Sequence, residues 1–483
     1  MRNTFNFSFN KYILIAIFTI LLSACGGDGG DDNSSNSGPT AEGTILLPST
    51  LTDEQIAAAG IILADLENCL NLPAGYIPIP NTTIDFLNAI GTVLSSTTTD
   101  ACGQFNASVG EEVVNLVVNI PGFQEIVSDI DAFTGNEPGL VSTIPDDATY
   151  EIASLQASGE SGDSVAFSVT DSQTNTAVIG LPDDAVTINL NGVPIALVDI
   201  SLASDVAEPA SVTMVLDASG SMSSRVEDKN GDDLIDDNGA TYDRFRITAL
   251  AAHAYLDGMP NTDETAVIPF GSDVHFINDA YIADNLSIED SSGNPASYTF
   301  SEDGFTSSSS DLRFIVDSYN ESSQLYRDIN PDARHPLTPN LSIDSYGYGG
   351  GTSLYDGIEE GLENLSTRST SRKLVIAMSD GQNNSSSITR EGVIDSAVAK
   401  GIPVYTITFL GTSGGENMEQ IALGTNASYY EVAGFDFQSI FQTIQTGITF
   451  QYIAMSNTNF AEGDTITVTV EVNGQTVSRD LTL

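Results

Sequence analysis

The sequence predicts an α/β fold in which a doubly wound, mostly parallel sheet is inserted in or appended to a small β-sandwich, with an N-terminal helical domain. Residues 211–217 and 373–379 are largely β-branched or aliphatic, as in strands buried on both faces of a parallel sheet. Elsewhere, residues 146–206 and 464–483 alternate with a period of two, which is typical of an antiparallel sandwich. An amphipathic helix separates the two apolar runs, with one face formed by Leu354, Ile358, Leu362 and Leu365.

Both apolar runs end in a carboxylate, at Asp217 and at Asp380. Asp217 is followed by the hydroxyls of Ser219 and Ser221, and Thr352 opens the amphipathic helix directly after three glycines. Ligands of open α/β sheets bind at the carboxyl ends of the strands. The Asp-x-Ser-x-Ser pattern alone is also typical of a capped strand-to-helix turn. Taken together, the five positions resemble the von Willebrand factor type A (VWA) domain and its metal-ion-dependent adhesion site.

This resemblance covers residues 207–448 and implies a metal site. Three hydroxyls and two carboxylates are hard oxygen ligands, which suit Mg²⁺ or Mn²⁺. By the resemblance, the hydroxyls of Ser219, Ser221 and Thr352 bind the ion directly, whereas Asp217 and Asp380 bind it directly or through water. The open coordination position would take a carboxylate from a protein ligand. The alternative is a crevice of the same shape that holds no ion.

The amino terminus predicts a lipid anchor. The apolar run over residues 12–22 is too short for a permanent membrane helix and is typical of a signal peptide, here residues 1–24. The Leu-Ser-Ala-Cys run that follows resembles the bacterial lipobox, which implies lipidation of Cys25. Lipid alone would then hold the protein at the cell envelope. By the same resemblance, Gly26 after the cysteine implies the outer membrane, on its periplasmic or its outer face. Residues 25–45 are expected to form a flexible tether.

Residues 46–145 are predicted to form a small helical domain. Apolar residues at helical spacing favour one helix from Thr52 and a second after Thr82 or Thr83, the latter with Ile84, Leu87, Ile90 and Leu94 on one face. Two further helices are expected at 111–120 and 123–133. Outside the cytosol, Cys69 and Cys102 are expected to form a disulfide, and two buried free thiols are the alternative.

Residues 146–206 resemble an immunoglobulin-like β-module of the kind that precedes bacterial VWA domains. Asn191-Gly192 and Asn473-Gly474 are typical of tight hairpin turns. Because residues 449–483 show the same alternation, we expect them to complete this module, so that the α/β domain is inserted between strands of one sandwich.

Within residues 207–448, the sequence predicts further parallel strands and a short antiparallel edge strand at 274–277. It also predicts an inserted helix at 309–328 and a closing helix near 437–448. The strands are expected at 265–270, 374–379, 403–409 and 428–432.

An acidic insertion follows the first strand. It has oxygens at the first, third, fifth and ninth positions and a backbone carbonyl at the seventh, and so resembles a calcium loop of the dockerin or EF-hand type. It lacks the usual glycine at the sixth position, which is Asp233, and has Gly239 in place of the final glutamate. The expected ligands are Asp228, Asn230, Asp232, Leu234, Asp236 and Asp237. The alternative is an acidic loop without bound calcium.

Charge and motifs limit the function classes. The 66 acidic and 15 basic residues give a formal charge of −51, which disfavours nucleic-acid partners. No zinc-protease, nucleophile-elbow or phosphate-loop motif is present, so we do not expect an enzyme. We expect a metal-dependent protein-binding lipoprotein. The alternatives are a calcium-stiffened structural envelope protein and a Mg²⁺-dependent phosphoryl hydrolase acting through Asp217.

Overall fold

The computed structural model gives a chain of 22 strands and six α-helices over the residues that it describes. These are 39–48, 69, 76–120, 123, 126–134, 139–142, 148–158, 162–172, 176–181, 183–204, 206, 208–227, 233–235, 242–274, 300–319, 351–380, 383–412, 414–433, 436–472 and 474–483. The predicted signal peptide, Cys25 and the helix from Thr52 lie outside them. No helix in these ranges is long and apolar enough to cross a bilayer.

The N-terminal module is built from strands. One sheet has the order β2-β1-β5, with β8 parallel to β1, and the other has the order β4-β3-β6-β7. A shared core fills the space between them, including Ile45, Phe86, Phe105, Leu116 and Phe133. The strands are β1 (Thr40–Pro48), β2 (Tyr76–Pro78), β3 (Thr83–Leu87), β4 (Val93–Thr98), β5 (Gln104–Ser108), β6 (Asn115–Val118), β7 (Ile126–Asp129) and β8 (Gly139–Ser142).

The prediction of a helical domain is therefore wrong for the described part of residues 46–145. Apolar spacing over residues 84–94 spans a hairpin, because the chain reverses at Gly91, where φ is +77°. Ile84 and Phe86 alternate into the core, while Ile90 is 85% exposed at the turn. Residues 111–120 contain β6, and 123–133 contain β7 and a 3₁₀ turn. The helix pattern was matched by chance across turns that join short strands.

Two other predictions concern this module. The Cys69–Cys102 disulfide is present, with the Cα atoms 5.3 Å apart, and the prediction is confirmed. The predicted tether, residues 25–45, extends too far, since β1 begins at Thr40 and buries Ala41 completely.

The next module is a pair of antiparallel sheets around one core. One sheet has the order β11-β10-β20-β14, with β9 on β10, and the other has the order β13-β12-β21-β22. Its strands are β9 (Tyr150–Ser158), β10 (Ser164–Asp171), β11 (Thr176–Ala177), β12 (Val186–Leu190), β13 (Val193–Ile195), β14 (Leu197–Leu202), β20 (Tyr452–Ser456), β21 (Thr465–Val472) and β22 (Gln475–Thr482).

The C-terminal strands pair with strands that precede the α/β domain. β12 pairs with β21, and β14 pairs with β20. The Ala203 amide donates to the Gln451 carbonyl at 2.8 Å. The chain thus leaves this module after β14 and returns beside it at β20, with the α/β domain between the two.

The α/β domain contains one five-stranded sheet with the order β16-β15-β17-β18-β19, and all of its strand pairs are parallel. These strands are β15 (Ala210–Asp217), β16 (Glu264–Phe270), β17 (Arg372–Ser379), β18 (Val404–Phe409) and β19 (Tyr429–Val432). Three helices pack on one face, namely α1 (Arg244–Gly258), α2 (Ser309–Tyr319) and α6 (Asp436–Thr449). The other face carries α3 (Leu354–Ser366), α4 (Arg390–Lys400) and α5 (Gly415–Gly424).

Two glycines bring α3 close to β15. A Cβ at Gly357 would lie 3.0 Å from Val215, and one at Gly361 would lie 3.1 Å from Thr213. This close packing places the start of α3 next to the carboxyl end of β15. The inserted helix is α2 as far as Tyr319. Of the predicted edge strand, Val274 forms an isolated antiparallel bridge with Phe270, and the remaining residues lie outside the described ranges.

Candidate metal site at the carboxyl end of the sheet

The turn after β15 holds the first cluster of candidate ligands. Asp217 and Ser219 are fully buried. The Ser219 amide donates to Asp217 Oδ1 at 2.8 Å, and the Ser219 and Ser221 Oγ atoms lie 3.0 Å apart. A 3₁₀ turn over Gly220–Ser223 follows directly and contains Ser221.

The second carboxylate follows the neighbouring strand, β17. Ser379 Oγ donates to Asp217 Oδ2 at 2.6 Å, and Asp380 is 4% exposed. Burial raises the pKa of Asp217 to about 6, and the nearby Asp380 carboxylate adds to the rise, while hydrogen bonds from Ser219 and Ser379 oppose it. The two buried carboxylates repel each other, so a bound cation would stabilise both.

Thr352 is held at the start of α3 by the loop that follows β17 and Asp380. Its amide donates to Asn384 Oδ1 at 2.9 Å, and its carbonyl accepts the Asn384 and Ser385 amides. A Cβ at Gly351, the preceding residue, would lie 2.1 Å from Ser385 Oγ, so a larger residue there would displace the Ser385 side chain. The Ser353 amide donates to the Gly271 carbonyl just beyond β16. Loops after β16 and β17 thus meet at the start of α3.

Two residues of this site were missed from the sequence. Arg244 Nη1 donates to Asp380 Oδ2 at 2.8 Å. Asn384 was also missed, although the polar run after Asp380 was a usable signal for it. For Arg244 the local sequence carries no signal, because its partner is 136 residues away.

The donor set fits a hard divalent cation. Asp380 Oδ1 is buried and has no hydrogen-bond partner among the described residues. A buried carboxylate oxygen without a partner is costly unless a cation or water satisfies it. With the hydroxyls of Ser219, Ser221 and Thr352, the available ligands are oxygens, as Mg²⁺ and Mn²⁺ prefer. The described part of the chain contains no group of three His, Cys, Asp or Glu side chains that could hold a metal.

Comparison with known proteins supports a domain assignment. The sequence model of the von Willebrand factor type A domain matches residues 322–445. The chain therefore contains a VWA domain. The matched range includes Thr352 and Asp380, and β15 with Asp217 precedes it. No curated protein matches this sequence.

Several solved structures are similar to the chain at low sequence identity and low TM-score. Proximal thread matrix protein 1 (PTMP1) from the mussel byssus is 16% identical, with 53% of this chain and 50% of that chain covered and a TM-score of 0.33. The chain thus spans about half the length of PTMP1. That protein has also been solved with a zinc-occupied metal-ion-dependent adhesion site (MIDAS) motif. A von Willebrand factor type A protein from Catenulispora acidiphila is 9% identical, covering 70% and 74%, with a TM-score of 0.33. The PilB minor pilin from Streptococcus sanguinis is 12% identical, covering 85% and 94%, with a TM-score of 0.32. At these values the likeness carries no argument about function.

The predicted calcium loop is described only in part. Asp228, Asn230, Asp232, Asp236 and Asp237 lie outside the described residues. The Leu234 carbonyl accepts the Tyr242 amide at 2.9 Å, and Asp233 pairs with Arg225 at 2.8 Å. These contacts hold the base of the insertion beside the turn after β15.

Proposed function

We propose that the VWA domain binds Mg²⁺ or Mn²⁺ and, through the ion, a carboxylate of a protein ligand. Ser219, Ser221 and Thr352 would hold the ion directly, and Asp217 and Asp380 would do so directly or through water. The ion would supply an open coordination position for the ligand. The buried Asp380 Oδ1, which lacks a hydrogen-bond partner among the described residues, is the observation that carries this proposal. VWA domains are in general interaction modules and not enzymes, which favours binding over catalysis.

Metal binding is tested first, by isothermal titration of metal-free protein with Mg²⁺ and by Mn²⁺ paramagnetic resonance. Ser219→Ala removes one proposed ligand and is expected to weaken binding by about tenfold or more. Ser223→Ala is the matched control, because Ser223 lies in the same turn and its hydroxyl donates to the Gly220 carbonyl. Equal affinities in wild type and Ser219→Ala would remove the site from consideration.

Ligand binding is tested by affinity capture of envelope and medium proteins on residues 39–483, in Mg²⁺ and in EDTA. A protein retained by wild type only in Mg²⁺, and not by Ser219→Ala, supports metal-bridged recognition. Retention that is the same in all conditions contradicts it and favours a structural envelope protein.

The cellular setting follows from the N-terminal sequence. We propose that lipidated Cys25 holds the protein at the outer membrane, on either face, without a spanning helix. Cys25→Ser is expected to shift the protein from the membrane fraction to the soluble fraction, and incorporation of an alkyne-labelled fatty acid into wild type alone would show the modification.

We also propose a Ca²⁺ site at residues 228–237, for which Asp232→Asn should lower Ca²⁺ affinity.

A further inference from the structure

The positively charged side chain of Arg244 contacts Asp380, one of the proposed metal ligands. Its Nη1 donates to Asp380 Oδ2 at 2.8 Å, with side-chain exposures of 19% for Arg244 and 5% for Asp380. Its guanidinium carbon lies 5.2 Å from the centre of the Phe409 ring. The pair is thus largely shielded from water, where a charge interaction is stronger than at the surface.

The backbone of Arg244 is held by the same turn that carries the candidate ligands. Its amide donates to the Ser224 carbonyl at 3.0 Å, directly after the 3₁₀ turn. Asp243 caps α1 by accepting the Arg246 amide at 2.7 Å, and the Arg244 carbonyl accepts Thr248 Oγ1. Arg244 is therefore the first residue of a capped helix, and its backbone is fixed next to the turn that carries Ser219 and Ser221.

The charges of the site can be counted with and without the ion. Asp217 and Asp380 carry two negative charges and Arg244 one positive charge, so the metal-free site has a net charge of about −1 when all three are ionised. A divalent cation brings the net charge to about +1. Without Arg244 the loaded site would be neutral. The arginine thus opposes the ion and favours an anionic ligand of the loaded site.

The two oxygens of Asp380 have different surroundings. Oδ2 accepts from Arg244, while Oδ1 has no partner among the described residues. Arg244 therefore fixes the orientation of Asp380 and leaves the second oxygen available.

We propose that Arg244 is a built-in counter-charge of the metal site, which holds Asp380 before the ion binds, lowers the affinity for Mg²⁺ and raises the affinity of the loaded site for a carboxylate. This inference rests on the proposed function. It identifies Arg244 as a specificity-determining residue that was not among the predicted ligands.

The test compares Arg244→Gln with Arg244→Lys, which keeps the charge. Arg313→Gln is the matched control, because Arg313 pairs with Asp257 near the other end of α1, about 20 Å away along the helix. Mg²⁺ affinity is measured by isothermal titration. Acetate affinity is measured from the relaxation of acetate protons by the Mn²⁺-loaded protein. Thermal unfolding in EDTA and in saturating Mg²⁺ reports the stability of each state.

For Arg244→Gln we expect Mg²⁺ to bind about tenfold more tightly and acetate several-fold more weakly. Its melting temperature should fall in EDTA and return toward that of wild type in Mg²⁺. Arg244→Lys and Arg313→Gln should resemble wild type in both affinities. Opposite changes in the two affinities are the decisive result, because simple damage to the site would weaken both.

Unchanged or weaker Mg²⁺ binding in Arg244→Gln would overturn the inference. If wild type binds neither Mg²⁺ nor Mn²⁺, the proposed function fails, and the counter-charge is then judged by unfolding in EDTA alone. A melting temperature of Arg244→Gln equal to that of wild type in EDTA would overturn it as well. If Arg244→Gln does not fold, the same comparison is made with Arg244→Met, which also removes the charge, and an Arg244→Lys variant that fails to fold contradicts a role based on charge.

Discussion

Buried charges lie at both ends of the parallel sheet, and the two clusters differ in how they are satisfied. At the amino ends of the strands, Arg372 donates to the carbonyls of Glu208 and Ile448 and lies 3.8 Å from Asp263. Asp263 in turn accepts the Ala210 amide at 3.0 Å. At the carboxyl ends, Asp380 Oδ1 and Arg244 Nε are buried without a hydrogen-bond partner among the described residues.

The difference separates a structural cluster from a candidate site. Arg372 ties the chain before β15 to the end of α6, and so holds together both junctions of the α/β domain with the sandwich. Its hydrogen bonds compensate for burial, which by itself lowers the pKa of Arg372. The cluster at the carboxyl ends leaves polar atoms unpaired, which is costly unless a ligand completes it.

The largest effect on stability is expected for the charged cluster at the amino ends of the strands. Arg372→Met leaves the Asp263 carboxylate buried without its cation, and we expect a loss of about 3–5 kcal/mol in the free energy of unfolding. Urea unfolding in EDTA measures it, with Arg390→Met, at a partly exposed ion pair, as the control. Mg²⁺ affinity should not change. A loss below about 1 kcal/mol would mean that the cluster is not structural.

Asp217→Asn tests the cluster at the carboxyl ends of the strands. We expect Mg²⁺ affinity to fall by more than about tenfold, while stability in EDTA stays the same or rises, because one of two buried like charges is removed. Asp263→Asn is the same substitution at the opposite end and should leave Mg²⁺ affinity unchanged. If both substitutions lower Mg²⁺ affinity equally, the distinction between the two ends is lost.

Gly351→Ala tests the segment that carries Thr352. The new Cβ would overlap Ser385 Oγ at 2.1 Å and approach Ser272 Oγ at 2.9 Å. We expect a loss of about 1–3 kcal/mol in stability, together with weaker Mg²⁺ binding as Thr352 shifts. Gly110→Ala is the control, because no atom lies within 4 Å of a Cβ there. Mg²⁺ binding that is unaffected by Gly351→Ala would argue against Thr352 as a ligand.

The smallest effect concerns a second ion cluster at the amino ends, where Arg368 pairs with Glu264 and Asp303. Partial burial opposes ionisation of Asp303, but hydrogen bonds from Ser301, Thr367 and Arg368 and the charge of Arg368 lower its pKa from 3.8 to about 2. A lowered folded-state pKa stabilises the protein above the unfolded-state pKa, and this contribution disappears as the pH falls through 3.8 toward 2.

Asp303→Asn should therefore lose about 1 kcal/mol at pH 6, and the difference from wild type should shrink between about pH 4 and pH 2. Urea unfolding at several pH values measures it, with the exposed Asp395→Asn as the control. A difference that is independent of pH would show that Asp303 acts by packing or uncharged hydrogen bonds.

Much of the α/β domain could be predicted because its signals are local. An uncharged run of β-branched and aliphatic residues such as 212–216 is compatible with few structures other than a buried strand, and Asp217 marks its end. The N-terminal module was mispredicted because its strands have only three to nine residues. Over such lengths, helical spacing and strand alternation cannot be told apart without the turns, as Ile84 and Ile90 illustrate.

The sequence by itself determined the strand ends and glycines that carry the candidate ligands, since these depend on the order of neighbouring residues. Only the tertiary structure decided which charges face each other. Arg244 meets Asp380 across 136 residues, and Arg372 meets the Glu208 carbonyl across 164 residues. Such pairs depend on the order of strands in the sheet and on the packing of helices over it, and the free energy of burying a charge is set by these distant contacts.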